Sequence, residues 1–230
     1  MRHFIAVLAL AIAVVACQDR KNNTESAEGI PDPDTHPVLT TAETIAFKNG
    51  LENWDDVTEI QFTFNVDRGE NHFERSWSWK PKSNEVTLRS ADDTLTYNRN
   101  DMDSIAMKTD GGFINDSYWL LAPFKLVWDE GTTLSESDRA VAPISGDSLH
   151  KITLTYGNEG GYTPGDAYDF FYGDDFMVKE WIFRKGNQEA PSMITTFEDY
   201  KDFNGLQLAQ MHKDSTGALK LYFTDISVKR

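Results

Sequence analysis

Cysteine is almost missing from this 230-residue chain; its one copy is Cys17. A lone cysteine closes no internal disulfide and leaves no thiol set for a zinc site. Basic residues are scarce as well, 22 Lys and Arg against 37 Asp and Glu, which gives a formal charge of −15. No segment is basic, so the positive footprint that nucleic acid requires is not there. The same charge keeps the surface off anionic lipid. The apolar run from Phe4 to Val15 has signal-peptide length and is too short to span a bilayer. His36, His72, His150 and His212 show no HxH or HxxxH spacing, and no GxSxG, phosphate loop or dinucleotide fingerprint occurs. Acid pairs such as Asp55-Asp56 and Asp174-Asp175 are neighbours in turn-like sequence, which does not set two carboxylates across a cleft. The expectation is a non-enzyme with no cofactor and no metal.

What is present begins with "MRHFIAVLALAIAVVACQDR". A short basic start and the apolar run end at Val14-Val15-Ala16-Cys17, which resembles a bacterial lipobox. By that resemblance residues 1–16 are a lipoprotein signal peptide and Cys17 carries the acyl chains. Several such chains on one cysteine hold a membrane firmly. Residues 17–39 are then the lipidated cysteine and a linker, polar and interrupted by three prolines, unable to bury enough surface to fold. About 190 residues remain, 40–230, a single domain by size.

Thr40 and Glu43 form a capping-box pattern, Ile45, Ala46 and Phe47 supply apolar contacts, and Gly50 marks the stop of an N-terminal helix. Period-two alternation follows. Ile60, Phe62, Phe64 and Val66 alternate with polar residues, as do Phe73, Arg75, Trp77 and Trp79. Further strands are expected around Ile152–Tyr156, Tyr168–Tyr172, Lys179–Phe183 and Leu219–Phe223. Short turns, "YGDDF", "FNGL" and "KDSTGAL", join them into an antiparallel meander. Thr163-Pro164-Gly165-Asp166 predicts a type II turn. The segment "FINDSYWLLAPFKLVW", Phe113–Trp128, is apolar without alternation. Asp116 is placed to cap a short helix, Ser117 to Ala122, ended by Pro123, with Phe124, Leu126 and Trp128 on one face of an extended run. A helix apolar all round must be covered or must face a cavity.

These features, with "RSWSWKP", "EGGYTPGDAYDFF", "KEWIFRKG", "TTFEDY" and "LYFTDISV", resemble a family of bacterial lipoproteins placed near the LolA-like lipoprotein carriers. The resemblance covers roughly residues 43–228. It implies a mainly β (α+β) fold, a curved antiparallel meander or half-barrel with an N-terminal helix and a short mid-chain helix plugging its concave face. It also implies an apolar or amphipathic ligand, a lipid or acyl chain, in the half-barrel. The candidate cavity residues are Arg75, Trp77, Trp79, Tyr118, Trp119, Leu120, Phe124 and Tyr168. Arg75, on the Trp face of its strand, either pairs with a buried acid or meets a head group. The expected partners are a membrane, through Cys17, and a lipid or lipoprotein ligand, with no nucleic acid and a monomeric state. The expected location is the cell envelope at the outer membrane. The alternative is a glycan- or protein-binding surface module with a filled core; a hydrolase stands behind both.

Overall fold

The computed structural model describes residues 38–91, 93–159 and 161–230. The leader, Cys17 and the linker up to residue 37 lie outside the described residues. Leu39–Arg230 forms one self-contained unit.

Helix α1 (Thr41–Lys48) begins at the expected capping box. The Glu43 backbone N–H donates to Thr40 Oγ1 at 3.2 Å, and the Thr40 N–H donates to Glu43 Oε2 at 2.7 Å. Ile45 and Ala46 are buried, whereas Phe47 faces out. Gly50 has φ +94°, and a β-carbon there would lie 2.0 Å from the Gly205 carbonyl oxygen. Both facts require glycine.

Strands β1 (Glu59–Arg68), β2 (Asn71–Lys80), β3 (Glu85–Arg89) and β4 (Thr94–Asn98) form a meander. Helix α2 (Ser104–Trp128) follows, then β5 (Thr132–Val141), β6 (Ser148–Tyr156), β7 (Ala167–Tyr172), β8 (Val178–Arg184) and β9 (Met193–Thr196). The chain closes with a small hairpin, β10 (Lys201–Phe203) and β11 (Leu206–Leu208), and with β12 (Met211–Lys213) and β13 (Leu219–Lys229). β13 pairs with β1, giving the order β12-β13-β1-β2-β3-β4 beside β5-β6-β7-β8-β9. The two sets join where the Glu198 N–H donates to Met211 O at 2.8 Å and the Met211 N–H donates to Glu198 O at 3.2 Å. The result is one open, curved antiparallel sheet with β4 and β5 at its edges, not closed into a barrel.

Helix α2 lies on the sheet's inner face and corrects the expected short plug. It runs for 25 residues, capped by Asp103, whose Oδ1 accepts the Ile105 and Ala106 N–H groups. Residues 124–128 are helical, not extended. Pro123 bends the helix rather than ending it: Leu121 leaves helical geometry at φ −113°, ψ 17°, and the chain resumes beyond. Burial of every residue from Asp116 to Phe124 holds both sides of the bend in place.

Asp116 is not a cap. Its side chain is fully buried, with Oδ2 accepting Arg75 Nε at 2.5 Å and Trp77 Nε1 at 2.7 Å, and Oδ1 accepting Arg75 Nη2 at 2.7 Å. Asp110, two turns earlier and also fully buried, accepts from Arg99 Nε at 2.9 Å, from Tyr97 Oη at 2.8 Å and from the Tyr162 hydroxyl. These two matched pairs tie the helix to the sheet and to the 157–166 loop. They also explain Gly112 in the middle of the helix. A β-carbon on Gly112 would come within 2.8 Å of Arg75 Nη1, so the guanidinium needs the bare backbone beneath it.

Candidate functional site: a cavity between helix and sheet

Along α2, Gly111, Ile114, Asn115 and Tyr118 fall on one stripe, spaced three and four apart. That stripe does not touch the sheet throughout. Between it and the inner face lies a cavity of about 760 Å³. One wall is Phe64 and Val66 of β1 with Leu219 and Leu221 of β13, where Val66 and Leu221 face each other across the β1–β13 ladder. The opposite wall is Tyr168 of β7 and Trp181 and Phe183 of β8. Inward positions of neighbouring antiparallel strands meet side by side, which is why residues so far apart in sequence share a surface.

The floor is aromatic and fixed by stacking. Tyr118 stacks on Tyr168 with centroids 4.7 Å apart, Tyr168 on Phe183 at 5.0 Å, and Trp119 meets Trp181 at 4.5 Å. The polar lining residues, exposed Arg68, Asn71, His72 and Asn115 and half-buried Thr163 and Asp166, form the rim together with the exposed rings of Phe73 and Tyr162. Of the rim's basic groups, His72 bonds Asp67 at 2.7 Å and Glu74 at 3.3 Å, which raises its pKa. The turn before β7 is the expected type II turn. The Asp166 N–H donates to Thr163 O at 3.1 Å, and Gly165 sits at φ +75°.

A smaller cavity of about 400 Å³ adjoins the first and shares Ile114, Tyr118, Tyr162 and Thr163 with it. Here Tyr156 Oη donates to Asp129 Oδ2 at 2.5 Å and lies 3.1 Å from Tyr118 Oη. Tyr156 has one hydroxyl proton, so Tyr118 is the donor in the second bond. Burial, reinforced by the Asp129 carboxylate, pushes both hydroxyls above the ordinary tyrosine value. They therefore stay neutral at any physiological pH.

Of the cavity candidates read from sequence, Tyr118, Trp119 and Tyr168 line the main cavity. The others do not, for separate reasons. Trp77 is buried against Phe113 and bonded to Asp116; Trp79 packs on Trp54 and Phe113. This removes the exposed tryptophan pair that a sugar platform would need. Leu120 and Phe124 are buried in the core, Phe124 stacked on Trp128 at 5.0 Å. Arg75 takes the buried-acid alternative. Phe64, Ile114, Trp181, Phe183 and Leu221 were missed; their only sequence mark is the inward register of their strand or helix. Among the described residues no cluster of three or more His, Cys, Asp or Glu is placed to hold a metal ion. No described helix is long and apolar enough to cross a membrane.

No family model matches the chain, and no curated protein matches it. Solved structures do. A LolA superfamily protein from Nitrosomonas europaea superposes with TM-score 0.50 at 9% identity, over 84% of this chain and 95% of its own. A domain assigned to outer membrane lipoprotein sorting, from Vibrio parahaemolyticus, superposes with TM-score 0.50 at 10% identity, over 82% and 91%. With an open antiparallel sheet, a helix across its inner face and a cavity between them, this chain has the LolA-like fold.

Proposed function

We propose that the protein is a membrane-anchored binder of an apolar or amphipathic ligand, whose alkyl chain lies in the main cavity. The observation that carries this reading is the cavity itself: about 760 Å³, with aromatic and aliphatic walls on both sides and polar groups confined to its rim. Such a space suits ligands that give up alkyl surface to it, at about 0.8 kcal/mol per methylene. The LolA-like neighbours, one of them assigned to lipoprotein sorting, support a carrier-like role. Nothing in the cavity resembles a catalytic constellation, and the role proposed is binding by a monomer without turnover.

The anchor is part of the proposal. The Val14-Val15-Ala16-Cys17 sequence supports acylation at Cys17 after removal of residues 1–16, with 17–39 as a tether to the domain at 40–230. A tethered binder works within reach of one membrane, in the cell envelope and at the outer membrane. Two experiments test the reading. Titration of the 39–230 unit with a fluorescent fatty acid is expected to saturate at one site; no binding, together with no co-purifying amphiphile in native mass spectra, sinks the cavity reading. Cys17→Ser in the full chain is expected to move the protein out of the membrane fraction; unchanged membrane retention sinks the anchor.

A further inference from the structure

The smaller cavity has a different chemistry from the main one, and its position beyond a shared wall gives it a use. Beside Ile114, Tyr118 and Trp128 its lining carries many polar groups: hydroxyls of Tyr156, Tyr162 and Thr163, the carboxylates of Asp129, Glu130 and Glu159, and the cations Arg99 and Lys125. Both cations are already matched. Arg99 Nε is 2.9 Å from Asp110 Oδ1, and Lys125 Nζ is 3.2 Å from Asp129 Oδ1. Glu130 and Glu159 then leave the site with an excess of negative charge, which disfavours an anionic guest. A quaternary ammonium guest is drawn by that charge but has no hydrogen to give the carboxylates. The aromatic faces that would receive it, Tyr118 and Trp128, are each covered by Lys125 Nζ at 5.8 Å. The tyrosine protons are already given, Tyr156 to Asp129, Tyr118 to Tyr156 and Tyr162 to Asp110, so what is left is a set of carboxylate and hydroxyl acceptors beside an aromatic ring, the set that donating hydroxyl groups satisfy.

Resting on the alkyl-chain reading above, we propose that this annex seats the uncharged, hydroxyl-bearing head of an amphiphile whose chain fills the main cavity. Tyr118 is the hinge of the arrangement: its ring faces the chain, stacked on Tyr168, while its hydroxyl bonds Tyr156 in the annex. Glycolipids and acylglycerols carry this chemistry; free fatty acids and quaternary ammonium amphiphiles do not.

The test holds the chain constant and changes the head. The self-contained 39–230 unit is titrated calorimetrically with decyl glucoside, decanoate and decyltrimethylammonium, each below its micelle concentration. The glucoside is expected to bind at least about tenfold more tightly than either charged amphiphile, since it gains hydrogen bonds they cannot make. Tyr156→Phe is expected to weaken the glucoside about fivefold and to leave decanoate unchanged, the latter reporting an intact cavity. Glu159→Lys, at an exposed position, is expected to strengthen decanoate and not the glucoside. Equal affinities for all three heads, or preference for a charged head, overturn the head-group inference while the alkyl reading stands. Binding of none overturns both.

Discussion

Gly111 offers a way to close the cavity without damaging the fold. It lies mid-helix on the stripe that lines the cavity, and a β-carbon added there meets no atom within 4 Å. Gly111→Ala is therefore expected to raise stability by about 0.5–1 kcal/mol, the ordinary gain of alanine over glycine in a helix interior. Gly111→Phe points an aromatic side chain into the space of the ligand. If that ring takes the seats of three to five methylenes, affinity falls by about 2.4–4 kcal/mol at about 0.8 kcal/mol each, or about 50- to 1000-fold. Displacement of a fluorescent fatty acid measures the binding, and urea unfolding measures stability on the same samples. The alanine variant should bind like the parent, and the phenylalanine variant should be stable and empty. A folded Gly111→Phe that binds with parental affinity refutes the assignment of the cavity.

Other perturbations test the packing around the site. Arg75→Ala strands the fully buried Asp116 with only Trp77 and Asn115 as partners; urea unfolding should show a loss of about 3–5 kcal/mol, much of it recovered in Arg75→Met/Asp116→Leu. A loss below about 1 kcal/mol shows that the pair does not anchor the helix. Burial in an apolar shell pulls the folded pKa of His212 down to about 4, despite its Nδ1 lying 3.0 Å from Thr196 O. Below the ordinary value of about 6.5 only the unfolded chain takes up the proton, so stability is lost as pH falls, by about 2 kcal/mol between pH 7 and 5. His72, with its pKa raised, acts in the opposite sense. The decisive comparison is His212→Phe in the same window, which should lose less on acidification; an identical pH profile excludes His212. Gly50→Ala should cost more than 2 kcal/mol by urea unfolding, because its β-carbon would strike the Gly205 backbone at a positive φ. A neutral result means that contact is loose.

Local patterns were legible in the sequence, and long-range ones were not. The Thr40–Glu43 box, the Ile60–Val66 strand and the Thr163–Asp166 turn each depend on neighbours within a few residues, and each formed, although the polar face of that strand is buried at Thr63 and Asn65. Helix α2 was read too short because two of its residues usually mean something else. Asp116 reads as a cap and Pro123 as a stop. In the fold Asp116 neutralises Arg75, for which Gly112 makes room, and Pro123 bends a helix that burial sustains. Cavity wall and filled core carry the same apolar signature, so Trp77 and Trp181 could not be told apart. Only the pairing of β1 with β13, and of β7 with β8, decides which inward side chains meet a neighbour and which meet open space.

Tryptophan quenching by a brominated alkyl amphiphile tests the central claim most directly, since bromine quenches only at close contact. Trp119 and Trp181 line the main cavity, whereas Trp54, Trp77 and Trp79 lie outside its lining. Saturable quenching that is lost in Trp119→Phe/Trp181→Phe, kept in Trp54→Phe and abolished by Gly111→Phe is the expected result. Absent quenching, or quenching indifferent to Gly111→Phe, contradicts an alkyl chain lying between helix and sheet.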